Sequence, residues 1–360
     1  MTAGWTDAAG PASDPQSPAT AGRAGAVLAW GAAHLRDLPW RATRDPWAVL
    51  VSEVMAQQTG VDRVVPRYHA FLERFPTPAD CAGAPAGEVV RLWAGLGYNR
   101  RALNLHGAAI AVVERHGGAL PDDLPSLLAL PGVGPYTARA VLAFAFERPV
   151  GVVDTNVGRV LARWAGRRLR SAEAQLLADH LAHTAAATLD AANASGGGAA
   201  DGGAADAVGP GAGAGAGAGV SGVSGVSGVS GADSGAGGVS RSWVWNQAVM
   251  ELGGTVCRPR RPRCEACPVR PWCGWAAAGL APPDPADGSA GVSTGQPRFE
   301  GSDRQGRGRL VDALCRGPVA TADVAAVMGW PGDPARADRV AVGLIADGLA
   351  MRDGGQLRLP

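Results

Sequence analysis

Four cysteines, Cys257, Cys264, Cys267 and Cys273, fall within seventeen positions, separated by six, two and five residues. So short a tether lets all four thiolates wrap one metal centre, and iron–sulfur clusters and zinc both take thiolate ligands. A four-cysteine zinc site usually carries two close Cys-x-x-Cys pairs, and only Cys264 and Cys267 form one here. A disulfide-rich loop is the remaining alternative, and it belongs to oxidising compartments. The other two cysteines, Cys81 and Cys315, read as free thiols, which suits a reducing compartment with one metal site. Two prolines stiffen the first gap, and Arg258, Arg260, Arg261 and Arg263 make it basic.

Such a loop needs a folded platform, and composition limits where that platform lies. The 360 residues include 53 glycines, many in Ala/Gly/Ser runs that cannot bury a core. Residues 1–22 read as a disordered tail. Residues 191–240, Gly-Ala alternation followed by Val-Ser-Gly repeats, read as a flexible insertion within a domain covering 23–280. A Pro/Gly/Ser linker at 281–305 leads to a module at 306–360. There, three helices and a hairpin turning at Asp353-Gly354-Gly355 suggest a winged helix. The chain opens without a basic, then apolar, leader and has no apolar run long enough to span a bilayer. A cytoplasmic monomer without a membrane partner is expected.

The net charge of +1 argues weakly against a nucleic-acid partner, but the charge is uneven. The cysteine loop and Arg167-Arg168-Leu169-Arg170 are locally basic, and phosphates meet local fields. All 33 basic side chains are arginine; there is no lysine in the chain.

The main domain reads as helical, without period-two strands. A first helix is expected over 24–35. Asp45 is placed to cap a second, with Pro46 at its first position and Trp47, Leu50, Val51 and Val54 at helical spacing. Glu53 and Gln57, four apart, border that apolar stripe. A half-exposed, ion-paired glutamate is the ordinary reading; a carboxyl kept on so apolar a face is the interesting one. Gly95 to Arg101 makes a turn presenting Tyr98 beside two arginines. In Leu130-Pro131-Gly132-Val133-Gly134-Pro135, two glycines permit positive backbone torsions and Pro135 can open a helix. The expected product is a hairpin whose helix N-terminal amides can hold a phosphate without reading sequence. Asp154, in Val153-Asp154-Thr155-Asn156-Val157, is placed to cap another helix, and capping alone would account for it.

Taken in order, Leu38-Pro39-Trp40-Arg41, Ser52-Glu53-Val54-Met55-Ala56-Gln57-Gln58-Thr59, Gly95-Leu96-Gly97-Tyr98, the 130–134 hairpin, 153–160 and the cysteine loop resemble the MutY type of adenine DNA glycosylase within the endonuclease III superfamily. The resemblance covers roughly 24–275 outside the insertion. It implies an all-α fold: a helix-hairpin-helix glycosylase with a six-helix barrel, a helical subdomain bearing a [4Fe-4S] cluster on the four cysteines, and double-stranded DNA bound between them. It implies that Glu53 protonates a mispaired adenine and later activates water, that Asp154 stabilises the sugar cation, and that Tyr136 and Asn156 orient them. Gln57, Gln58 and Tyr98 fall at wedge and minor-groove positions, Gly132, Val133 and Gly134 at the phosphate grip, and Trp40 and Arg41 at the adenine pocket. The arginines of the cysteine loop would meet phosphates.

Endonuclease III relatives place a Schiff-base lysine where this chain has Tyr136, so base hydrolysis without strand cutting is expected. There are two departures: Thr155 replaces a customary glycine, and nothing in 281–360 resembles the Nudix-like domain that reads 8-oxoguanine in typical members. A thymine–guanine mismatch glycosylase of the same fold and a non-catalytic iron–sulfur DNA-binding protein are the alternatives left open.

Overall fold

The computed structural model describes residues 18–187, 240–289 and 298–360. Residues 1–17 of the expected tail, 188–239 around the expected insertion and 290–297 of the expected linker lie outside the described residues.

The main domain is built on two apolar cores. The first surrounds α2 (Pro46–Ala56), which begins as its sequence dictates: Asp45 accepts from the Trp47 amide at 3.0 Å and Pro46 fills the first position. Every residue from Trp47 to Met55 is buried, so α2 is a central helix rather than a surface one. Around it pack α3 (Val61–Arg74), α4 (Pro78–Ala82), α5 (Ala86–Leu92), α6 (Arg100–His116), α7 (Leu124–Leu128) and α8 (Pro135–Phe144). Trp47, Phe71, Phe75, Trp93 and Leu105 fill the centre, and the Trp47 indole N–H donates to Phe75 O at 3.0 Å.

The second core unites α1 (Pro18–His34) with α9 (Thr155–Ala165), α10 (Ser171–Ala187) and α11 (Arg241–Thr255), around Leu161, Trp164, Leu181, Trp245 and Leu252. A Cβ at Gly31 would stand 2.6 Å from the Ala248 Cβ, so glycine there lets α1 and α11 close on each other. The cysteine loop leaves α11 and returns through α12 (Gly274–Ala277). The two-lobed helical plan expected from sequence is the one that forms.

The limits of the flanking segments differ from expectation. Residues 18–22 are helical because α1 docks: Gly22 lies on the Trp272 ring, and Arg23 Nη2 donates to Trp272 O at 3.1 Å. Residues 281–289 are no linker. Asp284 pairs with the buried Arg163 at 2.5 Å, Asp287 O accepts from Arg168, and Ser289 Oγ accepts from the Leu169 amide. A buried guanidinium needs a counter-charge, and Asp284 supplies it.

The C-terminal module contains α13 (Asp303–Arg316), β1 (Val319–Ala320), α14 (Val324–Met328), α15 (Pro334–Ala346), β2 (Met351–Asp353) and β3 (Gln356–Arg358). Its antiparallel sheet runs β1-β3-β2, with Val319 opposite Leu357 and Arg352 opposite Leu357. Three helices precede the β2–β3 hairpin, and β1, which the sequence did not suggest, adds a third strand to it. The module is nevertheless not separate, because Leu310, Leu314, Met328 and Leu344 join the first core. Gly87 N donates to Pro360 O at 2.9 Å, an approach that a Cβ on Gly87 would block, and Asp347 pairs with both Arg100 and Arg307.

Candidate active site

Glu53 projects from buried α2 and is only 8% exposed. Across from it, Tyr136 in the first turn of α8 donates its hydroxyl to Glu53 Oε2 at 2.7 Å. Asp154 caps α9, accepting from the Val157 amide at 2.6 Å and from Asn156 Nδ2 at 2.9 Å. Capping is thus real, and it leaves the second carboxylate oxygen to Asn156. Asn156 is itself held: its Oδ1 accepts from Arg159 Nη2 at 2.8 Å, and Gly253 of α11 lies against its Cβ. Arg159 continues to Gly253 O and Cys257 O, so a line of hydrogen bonds runs from Asp154 to the cysteine loop. Thr155 is exposed at the first position of α9, where its side chain disturbs none of these contacts.

The two carboxyls sit in different environments. Burial pushes the Glu53 carboxyl up to about 7, and the charge of Asp154 adds to this; the Tyr136 hydrogen bond and the Arg41 charge oppose it. Burial also raises Asp154, against the donors Val157 and Asn156 and the charge of Arg159. Tyr136 is driven well above its ordinary value by burial and the adjacent carboxyls, and stays a hydroxyl donor. Burial raises both carboxyls; Glu53 is poised to hold a proton near neutrality, and Asp154 differs in accepting from the Val157 amide and Asn156, which oppose its rise. Because the Tyr136 hydroxyl stabilises ionised Glu53, Tyr136→Phe should move the alkaline limb of the pH–rate profile upward. An unmoved or downward limb in single-turnover kinetics would contradict the geometry.

The hairpin forms between α7 and α8, with one difference from expectation. Gly132 alone takes a positive φ, +73°, and packs on Asn104, whereas Gly134 is extended as the N-cap of α8 and makes no side-chain cap. A cap residue needs extended rather than left-handed backbone. Val133 between them is buried. Gln57 follows the end of α2 and donates to Thr137 Oγ1 at 3.2 Å, joining that helix to the hairpin. Gln58 (φ 56°) and Tyr98 (φ 49°) are left-handed, and Tyr98 is 46% exposed.

Trp40 lies edge-on to Tyr68, partly buried. Arg41 is clamped from α11: its Nε donates to Gln247 Oε1 at 2.8 Å and its Nη2 to Glu251 Oε2 at 2.9 Å. Glu251, 1% exposed, also accepts from Arg36. Gln247, Glu251 and Arg36 escaped the sequence reading. The signal was present, since Gln247 and Glu251 are a polar pair four apart on an apolar helix, the pattern that singled out Glu53 and Gln57.

Cys257, Cys264, Cys267 and Cys273 line one cavity with Arg163, Trp164, Arg270 and Trp275. None of the four is joined in a disulfide. Burial raises Cys267 to about 11, and the neighbouring sulfurs add to it, so four thiolates this close call for positive charge between them. Among the described residues, no group of three or more His, Cys, Asp or Glu is arranged to hold a metal ion. Four thiols lining one space are of the donor type that iron–sulfur clusters take. Arg260, Arg261 and Arg263 are exposed; Arg258 is partly buried, and its Nε has no hydrogen-bond partner among the described residues.

Residues 51–180, which carry Glu53, the hairpin and Asp154, match the family described as HhH-GPD superfamily base excision DNA repair protein, and fold and site together define a protein of that class. An adenine DNA glycosylase of Mycobacterium tuberculosis (strain ATCC 25618 / H37Rv) is 38% identical over 340 residues, covering 93% of this chain and 92% of that protein. One from Mycolicibacterium smegmatis is 37% identical over 326 residues, 90% of each. The chain belongs to the adenine DNA glycosylase family, base-excision-repair enzymes that hydrolyse an N-glycosidic bond. The human adenine DNA glycosylase is 36% identical over 262 residues, covering 69% of this chain and 38% of that protein. A solved thermostable thymine-DNA glycosylase shares the fold, with a TM-score of 0.55 at 23% identity over 74% of this chain and all of that one. Among the described residues, no helix is long and apolar enough to cross a membrane.

Proposed function

We propose that the chain releases adenine mispaired with 8-oxoguanine or guanine from double-stranded DNA. The observation that carries this reading is the Glu53–Tyr136 hydrogen bond beside the Asp154–Asn156 pair, with Glu53 titrating at about 7. Adenine leaves poorly as an anion, and the departing sugar develops positive charge. With the adenine extruded into the cleft, Glu53 in its acid form gives the base a proton. Asp154, its anion favoured by the Val157 amide and Asn156, faces the sugar and stabilises the cation. Glu53, now a carboxylate, takes a proton from the attacking water, and Tyr136 holds it in place through both stages. Trp40 and Arg41 flank the base, and Gln57, Gln58 and Tyr98 enter the duplex as the base leaves the stack.

The chain has no lysine, so no Schiff base forms through a side-chain amine. Borohydride is expected to trap no stoichiometric enzyme–DNA adduct. The cysteine ring would hold a [4Fe-4S] cluster as a structural centre that fixes the arginine loop. Arg260 and Arg261 then meet phosphates. Replacing both with alanine should reduce the slope of log affinity against log salt by about 1.8, two phosphate contacts' worth; an unchanged slope would remove them from the interface.

The reading is tested by single-turnover base release from duplexes pairing adenine with 8-oxoguanine, guanine and cytosine, alongside thymine with guanine. Adenine release from the first two is expected. Thymine release with adenine left intact would favour the thymine–guanine alternative, and no release at all would favour the non-catalytic one.

A further inference from the structure

Arg101, in the first turn of α6, sends its guanidinium away from its own helix into the joint between two loops. Its Nη1 donates to Val54 O at 2.7 Å, Met55 O at 3.0 Å and Gln57 O at 2.7 Å. Its Nη2 donates to Thr59 Oγ1 at 3.0 Å, Gly97 O at 3.0 Å and Leu96 O at 3.4 Å. The rings of Trp93 and Tyr98 lie 5.3 and 5.6 Å from its central carbon. The last carbonyls of a helix have no partner inside it, and α2 has no basic residue in its last turn. Arg101 supplies both the donors and the positive charge that a helix C-terminus favours. It binds the loop carrying Tyr98 with the same group. Each joined segment holds a non-glycine residue in left-handed backbone, Gln58 at φ 56° and Tyr98 at φ 49°. Such conformations persist only where the surroundings over-determine them.

We propose that Arg101 is a positioning residue that locks the Gln57–Gln58 turn and the Tyr98 loop into one rigid unit on the end of the catalytic helix. The groups that open the duplex then arrive in register with the acid that protonates the extruded base. The inference rests on the assignment of Gln57, Gln58 and Tyr98 to the DNA-entering face given above. Neither a lysine nor a methionine can replace the fork, because an ammonium has three donors at one point and cannot span acceptors on both loops.

The test separates extrusion from chemistry. With 2-aminopurine, a fluorescent isomer of adenine, at the target position opposite guanine, unstacking raises emission. The rise is recorded for Glu53→Gln and for Glu53→Gln combined with Arg101→Lys. The lysine variant is expected to lose most of the rise at temperatures well below its melting point, where it remains folded and keeps its affinity for undamaged duplex. In the Glu53 background, Arg101→Lys should lower single-turnover adenine release about 100-fold, the scale of a misplacement near 1 Å. Thr59→Val, which removes one of the six acceptors and keeps Arg101, should show the same loss in smaller measure, and it decides the matter if the lysine variant does not fold. A full rise in both variants, or a loss that only follows a drop in melting temperature, overturns the inference. Adenine release by the unaltered chain is scored separately, so that outcome would leave the proposed function standing.

Discussion

Glu53→Gln should abolish base release, lowering the single-turnover rate by about 10³-fold, within the range that general acid–base catalysis supplies. The substitution is close to isosteric, and the amide oxygen can still accept from the Tyr136 hydroxyl, so the pocket keeps its shape. DNA affinity should be retained. The same change should alter stability in a direction set by pH. In the folded chain Glu53 keeps its proton to about 7, whereas an unfolded carboxyl releases it near 4.5. The folded state therefore binds more protons between those values, and stability is lost as pH rises from about 4.5 to about 7. A shift of that size corresponds to about 3 kcal/mol above pH 7. Glutamine carries no such penalty, so the variant should melt higher than the parent at pH 8, with the gap closing toward pH 5. Equal melting temperatures at pH 8 would show that Glu53 is not held protonated by its surroundings, and a rate within tenfold of the parent would remove it as the acid.

What the sequence made legible was governed by local rules. Asp45 and Asp154 cap the helices they precede because a cap bonds two or three residues away. Glu53 stood out because a carboxyl amid Trp47, Leu50, Val51 and Val54 breaks a pattern. Its bond to Tyr136, 83 residues on, has no local signature, and only the resemblance joined the two. The same distance hid the clamp of Gln247 and Glu251 on Arg41. Asp284 looked like part of a loose Pro/Gly linker because its partner Arg163 lies 121 residues upstream. The C-terminal module looked separate for a related reason: the seam is a backbone bond from Gly87 to Pro360 and a shared apolar core, neither of which composition displays. At the hairpin, glycine signalled a tight turn but not which of the two glycines would take the left-handed torsion.

Asp154→Asn tests the other half of the chemistry, and it separates two roles that the structure gives one side chain. Asparagine caps helices about as well as aspartate, so the Val157 amide keeps its partner and the melting temperature should stay unchanged. The charge is lost, and with it the second oxygen that accepts from Asn156 Nδ2. If the Asp154 anion stabilises the sugar cation, base release should fall by about 10²–10³-fold, the scale of removing one preorganised electrostatic contact. Because the Asp154 charge helps raise Glu53, whatever activity remains should also have its alkaline limb moved to lower pH. Asp154→Ala adds the lost cap, a further cost of about 1 kcal/mol of stability, with no greater loss of rate. If asparagine preserved the rate and only alanine impaired the protein, Asp154 would be a helix cap and nothing more. The cation would then need another anion in the cleft, and Glu53 is the carboxylate that accepts from Tyr136 there.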